Sequence, residues 1–425
     1  MKTTPIAICG AGIAGIATAY YLACKYRQRR IVLVDRLLPL SLTTSKSGEN
    51  FRELWPQDCM TALMRRSLQL MEGLADEHPG SFELRFSGYD FVSQFNEAEV
   101  LPAWELSGAE QSAAYARLTD PTEIQAAKPY LADSIRQVLQ VKRAGIMDVQ
   151  ALGQLLLSLA KQAGLDVMTG HISSIQRGAE SGFVLNIDGR DRRDRIHAEK
   201  LVLAAGPFVP QLAGMLGIEL PVQSILQRKI VIPDPDAIIP RDMPFTIFAD
   251  AQYLNWTDED KTLLREEAGF RWLLDEFPAG LHIKPEGSGQ IKLGWAFNRD
   301  PETPSWEVAD DVEFPNVVIR GASRFIPALE RYVDKLPTPV VEYAGYYTRT
   351  SENWPIIGPL DDTNLFTVAA LSGFGTMAAC GAGELCADWV MNEVRPSYAG
   401  HFHVERYSDA AIREEIASGA SDGQL

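Results

Sequence analysis

The chain has 425 residues, a formal net charge of −16 at pH 7 and 46% hydrophobic residues, an ordinary globular composition. This length exceeds what one core usually organises, so we expect two domains. The acidic balance argues against nucleic acid and membranes as partners, because their phosphates would repel it. We expect a cytoplasmic protein with reduced thiols and no metal, since the five cysteines lack ligand spacing, no leader precedes the first strand, and no apolar run approaches the roughly 20 residues that span a bilayer.

The first predicted elements are a strand at 6–9, a glycine turn, an alanine-rich helix and a second strand that ends at Asp35. Gly10 permits the tight turn, Gly12 lets backbone amides approach a pyrophosphate, and Gly15 lets helix and strand pack closely. Asp35 is placed to accept hydrogen bonds from a ribose diol. This order of elements predicts a dinucleotide site.

The residues after Asp35 help to identify the dinucleotide. The acid disfavours the 2′-phosphate of NADP, which leaves NAD and FAD. A nicotinamide domain would normally continue with further βαβ units, whereas here the polar segment TTSKSGENFRELW (43–55) follows. This interruption favours FAD.

The next predicted βα-like unit starts at Asp148, which can cap a helix with apolar residues at helical spacing. Further along, the strand KLVLAAG (200–206) ends in Ala205 and Gly206. A turn of small residues at a strand end again suits close passage of a cofactor.

The stretch GSGQIKLGWAF (287–297) alternates like a strand whose two faces differ. The face with Ile291 and Trp295 is apolar. The other face carries one cation between small residues: Lys292, Gly294 and Ala296. This second face is either an ordinary solvent face or the wall behind a flat, electron-rich group.

Several motifs together resemble the D-amino-acid oxidase superfamily of flavoproteins. They are the N-terminal glycine turn, VLAAGPFVPQL (202–212), GYYTRTSENWPIIGP (345–359) and the block at 365–390, and the resemblance runs from residue 6 to about 395. The stretch around Lys292 looks like the branch of monomeric sarcosine oxidase and N-methyl-amino-acid oxidases.

The resemblance implies an α/β chain, α+β overall. It has a Rossmann-like FAD-binding domain with a parallel sheet and a substrate domain on a mostly antiparallel sheet. The expected FAD-binding segments are 1–88, 143–220 and 339–400. The expected substrate segments are 89–142 and 221–338, followed by a tail at 401–425 that frays after about residue 412.

The resemblance also implies which residues hold FAD. The expected set is Gly10, Gly12, Ile13, Ala14, Gly15, Asp35, Arg36, Thr43, Thr44, Ser45, Ile172, Ala205, Gly206, Gly345, Ser372, Gly373, Phe374, Gly375, Thr376 and Met377.

Two departures from the branch change this expectation. Gly345 stands where the branch attaches FAD through a cysteine, so we expect FAD to be non-covalent. Phe374 and Met377 replace a histidine and a lysine, and that lysine helps to hold a substrate carboxylate. We therefore expect a substrate bulkier or less charged than glycine derivatives.

Four residues are expected to serve catalysis. In the branch, the lysine matching Lys292 stands against the flavin and promotes its reaction with dioxygen, because a fixed cation stabilises the developing anion. Arg52 and Arg349 are candidates for binding an anionic group. Tyr347, beside Tyr346, offers an aromatic wall or a hydrogen bond.

We interpret the aromatic residues of the insertion at 236–280 first as local core and second as pocket or lid. These residues are Tyr253, Trp256, Phe270 and Trp272.

The resemblance implies an FAD-dependent oxidase of a small-molecule amine or amino acid. A neutral amine would give hydride to the flavin and become an imine, and dioxygen would then be reduced to hydrogen peroxide. The alternatives are a dehydrogenase of an amine or 2-hydroxy acid that uses a quinone or carrier, a biosynthetic tailoring enzyme, and a flavin-binding module without turnover. We expect a monomer or a small homo-oligomer.

Overall fold

The computed structural model describes residues 2–96, 115–190 and 192–418. Its strands are β1 (Lys2–Cys9), β2 (Ile31–Asp35), β3 (Asn50–Arg52), β4 (Leu84–Arg85), β5 (Tyr89–Ser93), β6 (Tyr115–Leu118), β7 (Gln137–Val141), β8 (Ala144–Met147), β9 (Asp166–Thr169), β10 (His171–Arg177), β11 (Phe183–Asp188), β12 (Arg193–Leu203), β13 (Gln223–Pro233), β14 (Phe245–Phe248), β15 (Leu281–Glu286), β16 (Gln290–Trp295), β17 (Val341–Arg349), β18 (Ile356–Pro359) and β19 (Leu365–Ala369). Its α-helices are α1 (Ile13–Tyr20), α2 (Asp58–Glu77), α3 (Pro121–Ala127), α4 (Val149–Gln162), α5 (Val209–Gly214), α6 (Asp258–Glu266), α7 (Phe314–Ser323), α8 (Gly375–Met391), α9 (Ala399–Phe402) and α10 (Ala410–Ser418).

The first sheet confirms the predicted Rossmann-like arrangement. Strand β1 lies parallel between β2 and β12, β9 extends the parallel set beyond β2, and β19 extends it beyond β12. Strands β10, β11 and β18 add antiparallel edges. Helix α8 can pack closely on α1 because both are rich in small residues, and a Cβ added to Gly383 would lie 2.6 Å from Cβ of Ala17.

The second sheet has the order β17-β13-β16-β15-β14-β5-β7-β6. Every neighbouring pair is antiparallel except β14 and β5, so the predicted mostly antiparallel sheet is confirmed. A small three-stranded sheet, β3-β8-β4, stands apart from both large sheets.

The alternation predicted for 290–295 is present in β16. Ile291, Leu293 and Trp295 lie in the core with residues of α7, and a Cβ on Gly321 would lie only 2.6 Å from the Trp295 ring. The opposite face of the strand is therefore turned away from this core, with Lys292 and Gly294 on it.

The expected domain boundaries stay predictions, and two features of the C-terminal part of the chain bear on them. Strand β17 pairs with β13 from Gln223 to Val231, so it extends the second sheet, although we expected residues from 339 onwards in the first domain. The sheet to which a strand belongs is set by its hydrogen-bonding partner, and the sequence of β17 does not reveal that partner. Helix α10 runs to Ser418, while residues 419–425 of the expected tail and residues 97–114 of the expected substrate segment lie outside the described residues. Across the described ranges, no helix combines the length and apolar character needed to cross a membrane.

Candidate active site

A long cavity runs along the glycine turn after β1, past the end of β2, to the N-terminus of α8. Gly10 has φ +111°, and a Cβ there would lie 2.4 Å from the carbonyl oxygen of Ala204. A Cβ on Gly15 would lie 1.9 Å from the carbonyl oxygen of Gly10. The turn therefore requires both glycines, and Gly12 leaves the cavity floor open because a Cβ there would meet only the Thr44 hydroxyl, at 3.5 Å.

The carboxylate of Asp35 is fixed at the wall of this cavity. Its Oδ2 accepts a hydrogen bond from the Ala11 amide at 2.6 Å, and its Oδ1 accepts one from the Leu37 amide at 2.9 Å. Burial raises the pKa of Asp35, and the amide hydrogen bonds oppose this shift. A carboxylate offers about four acceptor sites, so these amide hydrogen bonds leave acceptor capacity for a ribose hydroxyl.

Most residues predicted to hold FAD line this first cavity. They are Gly10, Gly12, Ile13, Ala14, Asp35, Arg36, Thr43, Thr44, Ile172, Ala205, Gly206, Gly345, Ser372, Gly373, Gly375 and Thr376. The hydroxyl of Thr44 accepts a hydrogen bond from the Ile13 amide at 3.2 Å, and the hydroxyls of Ser47 and Thr376 lie 2.6 Å apart. The polar loop after β2 is thereby joined to the first turns of α1 and α8.

Four residues of the predicted set lie elsewhere. Gly15 packs beneath the glycine turn. Ser45 donates its hydroxyl to the carbonyl oxygens of Ser41 and Leu42, so it serves its own loop. Phe374 and Met377 line a second cavity described below.

An aromatic stack that sequence analysis missed also lines the first cavity. The rings of Phe208 and Trp306 are stacked with centroids 3.9 Å apart, and the guanidinium of Arg36 lies 4.7 Å from the Trp306 ring centroid. Trp306 comes from the irregular segment after β16. No local sequence pattern connects it with a nucleotide site, because the contact exists only after the two sheets are placed together.

A second cavity adjoins the first and shares part of its wall. The shared residues are Ser47, Gly48, Lys229, Tyr347, Gly373 and Thr376. The remaining wall combines aromatic rings with polar groups that include Glu49 and Arg52, and its Tyr89 and Phe245 rings pack with centroids 4.7 Å apart. The two cavities can therefore present two ligands to each other.

Arg52 lies in the second cavity, where the sequence predicted an anion-binding group. Its side chain is buried, and its guanidinium lies 4.2 Å from the Trp55 ring centroid and 5.3 Å from that of Phe91. Stacking on flat rings orients a guanidinium, and a planar guanidinium suits a carboxylate.

Lys229 and Tyr347 stand at the junction of the two cavities. Nζ of Lys229 lies 3.4 Å from the Tyr347 hydroxyl oxygen and 5.4 Å from its ring centroid. A Cβ on Gly373 would lie 2.7 Å from the tyrosine ring, so this glycine admits the ring at the start of α8. Tyr347 lines both cavities, and its role as an aromatic wall or hydrogen-bonding group stays a prediction, whereas Lys229 was not anticipated.

His282 is a neutral imidazole in the second cavity. Burial, reinforced by the charge of Lys229, lowers the pKa of His282 to about 3. Its Nδ1 lies 3.0 Å from the carbonyl oxygen of Gly280, which can only accept, so the proton is on Nδ1. Nε2 is left as an acceptor beside Gly294.

The other two predicted catalytic residues lie outside both cavity linings. Lys292 is buried on the expected face of β16, but its Nζ lies 3.0 Å from Glu286 and 3.8 Å from Glu49. Arg349, at the end of β17, donates from Nε to the carbonyl oxygen of Thr350 at 3.4 Å. Neither a strand pattern nor a sequence motif could have revealed these contacts of Lys292 and Arg349, because the partners of Lys292 come from other strands and loops.

The first of our two interpretations, local core, is favoured for Trp272, whose ring centroid lies 5.9 Å from that of the core residue Phe277, and for Trp256. The indole of Trp256 packs against the second core and donates to the Leu273 carbonyl oxygen at 2.9 Å. Tyr253, Phe270 and Trp272 are exposed at 57%, 39% and 38%. Within the described parts of the chain, none of the four lines either cavity.

Comparison with known proteins gives a consistent result. A family model described as FAD dependent oxidoreductase matches residues 5–389. The chain is 21% identical to the human mitochondrial dimethylglycine dehydrogenase over 430 residues, which cover 96% of this chain and 46% of that protein. It is 20% identical to sarcosine oxidase subunit beta of Rhodobacter capsulatus over 439 residues, which cover 99% of this chain and 92% of that protein. The chain thus spans about half the length of the dimethylglycine dehydrogenases that it matches.

Solved structures share the fold at low identity. L-proline dehydrogenase from P. horikoshii superposes with a TM-score of 0.75 at 18% identity, covering 96% of this chain and 98% of that chain. Glycine oxidase from Geobacillus kaustophilus superposes with a TM-score of 0.71 at 17% identity, covering 93% and 96%.

Proposed function

Because the chain belongs to the family of FAD-dependent oxidoreductases, near the sarcosine oxidase branch, we propose that it oxidises a carbon–nitrogen bond of an amino acid or secondary amine larger than sarcosine. The acceptor in this proposal is dioxygen, and the products are an imine and hydrogen peroxide. The observation that carries the proposal is the second cavity, which adjoins the cofactor cavity and contains the buried guanidinium of Arg52.

The first cavity fits FAD. The open floor at Gly12, the anchored carboxylate of Asp35 and the small residues before α8 suit the pyrophosphate, the ribose and the ring edge in turn. No cysteine occurs among the described residues that line this cavity, so the proposal includes no thioether link between FAD and a cysteine. When bound, the flavin accepts the hydride that the substrate carbon gives up and passes the two electrons to the acceptor.

The second cavity suits an amine that carries a carboxylate and an apolar group. Arg52 provides a fork for the carboxylate, and Trp55, Tyr89 and Phe245 provide an apolar wall. Met377 is apolar where the related branch has a second cation. The geometry therefore favours a single clamp on the carboxylate and room for a hydrophobic substituent.

The charges of the cavity favour a neutral amine. Two cations, Arg52 and Lys229, and one carboxylate, Glu49, line it, and Glu49 lies 3.8 Å from the ammonium group of Lys292, so the net positive charge disfavours a bound ammonium group. His282, whose pKa is about 3, stays neutral and offers Nε2 as an acceptor for an amine N–H. An unprotonated nitrogen can push electrons into the breaking C–H bond, so these residues prepare the substrate without a dedicated base.

A panel of amines and amino acids tests the proposal. Under nitrogen, N-alkylated or bulky amino acids should bleach the yellow flavin, and air should restore the colour with formation of hydrogen peroxide. The absence of bleaching by every amine and amino acid would contradict the proposal.

The second candidate is a dehydrogenase of the same fold. It is favoured by the names of two similar proteins, dimethylglycine dehydrogenase and L-proline dehydrogenase. An oxygen electrode separates the two candidates, because a dehydrogenase would consume substrate rapidly with a quinone or carrier and slowly with dioxygen.

A further inference from the structure

Lys229 is a buried cation without a carboxylate partner at the junction of the two cavities. Its residue exposure is 9%, and it lines both cavities. Within the described ranges, its one polar side-chain contact is with the Tyr347 hydroxyl, at 3.4 Å. A hydroxyl orients an ammonium group but does not neutralise it.

The neighbouring lysines of the same sheet are neutralised. Lys284 and Lys292 are paired across β15 and β16, and both contact Glu286, at 3.1 Å and 3.0 Å. Burial alone would raise the pKa of Glu286, but the two ammonium groups outweigh it and lower the pKa. Glu49 adds a second carboxylate 3.8 Å from Lys292. This cluster is close to electrically balanced.

We propose that Lys229, and not Lys292, supplies the positive charge at the reacting centre. Lys229 stabilises the negative charge that the cofactor acquires on reduction, whereas Lys292 is a member of a structural ion-pair cluster. This inference rests on the proposed function, because it assigns a residue to the same site.

The physical reason is the location of uncompensated charge. A hydride transferred to a neutral flavin leaves one negative charge on the cofactor. A fixed cation in a water-poor site stabilises such a charge strongly, since the protein need not reorganise to meet it. Lys292 contributes little net electric field, because its charge is already compensated by two carboxylates.

Tyr347 positions the ammonium group. Its hydroxyl accepts from Lys229, and its ring fits against Gly373 before α8, so one side chain links β13 to the helix that begins at the cofactor cavity. Retaining an unpaired buried cation costs folding free energy, and a functional site is where such a cost is commonly found.

The test measures the reduction potential of FAD bound to four proteins by equilibration with a reference dye. They are the wild type and the variants Lys229→Met, Lys229→Arg and Lys292→Met. We expect Lys229→Met to shift the reduction potential by at least about 30 mV to a more negative value. For a two-electron couple, this shift is a tenfold decrease in the equilibrium constant for reduction. Lys229→Arg should retain most of the wild-type potential, and Lys292→Met should change it by less than Lys229→Met.

Stability provides an independent readout. Lys229→Met removes an uncompensated buried cation, so its melting temperature without FAD should match or exceed that of the wild type. Lys292→Met leaves the Glu286–Glu49 side of the cluster undercompensated, so its melting temperature should fall. If Lys292→Met fails to fold, the comparison of Lys229→Met with Lys229→Arg still decides the assignment.

Three results would overturn the inference. One is an unchanged potential in Lys229→Met. Another is a larger potential shift in Lys292→Met than in Lys229→Met. The third is a Lys229→Met protein that loses only affinity for a carboxylate ligand such as benzoate, because the cation would then serve the substrate. The potential needs no substrate, so failure of every amine to reduce the flavin would contradict the proposed function and leave this test intact.

Discussion

Lys229 and Gly294 face each other across β13 and β16, and a Cβ on Gly294 would lie 2.8 Å from Cγ of Lys229. The same Cβ would lie 2.4 Å from Nε2 of His282. The glycine therefore leaves the space in which Lys229 and His282 form part of the cavity wall.

Gly294→Ala should impair catalysis while leaving FAD bound. The added methyl must displace His282 or Lys229, and displacements of this size at a reacting centre commonly cost about tenfold or more in rate. Stopped-flow reduction of the flavin under nitrogen measures the effect. Gly289→Ala is the matched control, because a Cβ there meets nothing within 4 Å. Equal rates for the two variants would contradict this role of Gly294.

Trp306→Ala should accelerate the release of FAD. The stack of Trp306 on Phe208 beneath Arg36 contributes roughly 1–2 kcal/mol from aromatic stacking and cation–π attraction, which corresponds to about tenfold in affinity. Recovery of flavin fluorescence after dilution reports release directly. Trp272→Ala, at an exposed tryptophan outside both cavity linings, is the control and should release FAD as the wild type does. A wild-type release rate in Trp306→Ala would show that the stack does not retain the cofactor.

Arg52→Met should raise KM for substrates that carry a carboxylate by roughly tenfold to a hundredfold, because it removes a charge-assisted hydrogen bond worth about 1.5–3 kcal/mol. For amines without a carboxylate, the rise in KM should be much smaller. Steady-state kinetics with matched pairs of amino acid and amine measure the difference.

Arg349→Met is the control for this variant, since Arg349 lies outside the residues that line the cavities, and its KM should stay close to that of the wild type. A larger effect at Arg349 than at Arg52 would reverse our assignment of the carboxylate clamp.

His282 should make the folded protein sensitive to acid. Burial first, then the charge of Lys229, lowers the pKa of His282 from 6.5 to about 3. Below about pH 6.5 the unfolded chain binds a proton that the folded chain does not. The stability contributed by the neutral imidazole is therefore complete above pH 6.5 and is lost as the pH falls towards 3, by up to ~1.4 kcal/mol per pH unit.

Urea unfolding of the wild type and His282→Gln at pH 7.5, 6 and 5 measures this effect. The free energy of unfolding should fall more steeply with decreasing pH in the wild type, because glutamine does not titrate. Parallel curves would mean that His282 titrates normally in the folded state.

Local patterns were sufficient to predict the nucleotide end of the site. The turn at Gly10 with its positive φ, the open floor at Gly12 and the acid at Asp35 belong to the first two strands and the helix between them, although the close contact at Gly10 is with Ala204 after β12. Their geometry follows from backbone sterics and sheet register. For the same reason, the alternation of β16 and the apolar role of Ile291, Leu293 and Trp295 were predicted correctly.

Sequence could not identify which cation faces the site. Lys229, Lys284 and Lys292 all belong to alternating strands, and each could be a functional or an ordinary lysine by pattern alone. Trp306 likewise had no local signal, because its stack with Phe208 joins an irregular segment to the helix region after β12.

The sequence by itself determined the two-sheet flavoprotein fold and the glycine turn with its acid, because short-range sterics and hydrophobic periodicity act within single elements. Only the tertiary structure decided the charge balance of the site. Electrostatic compensation depends on which charged groups come together across strands and loops. In the folded chain, Lys292 lies beside the carboxylates of Glu286 and Glu49, whereas Lys229 contacts the hydroxyl of Tyr347.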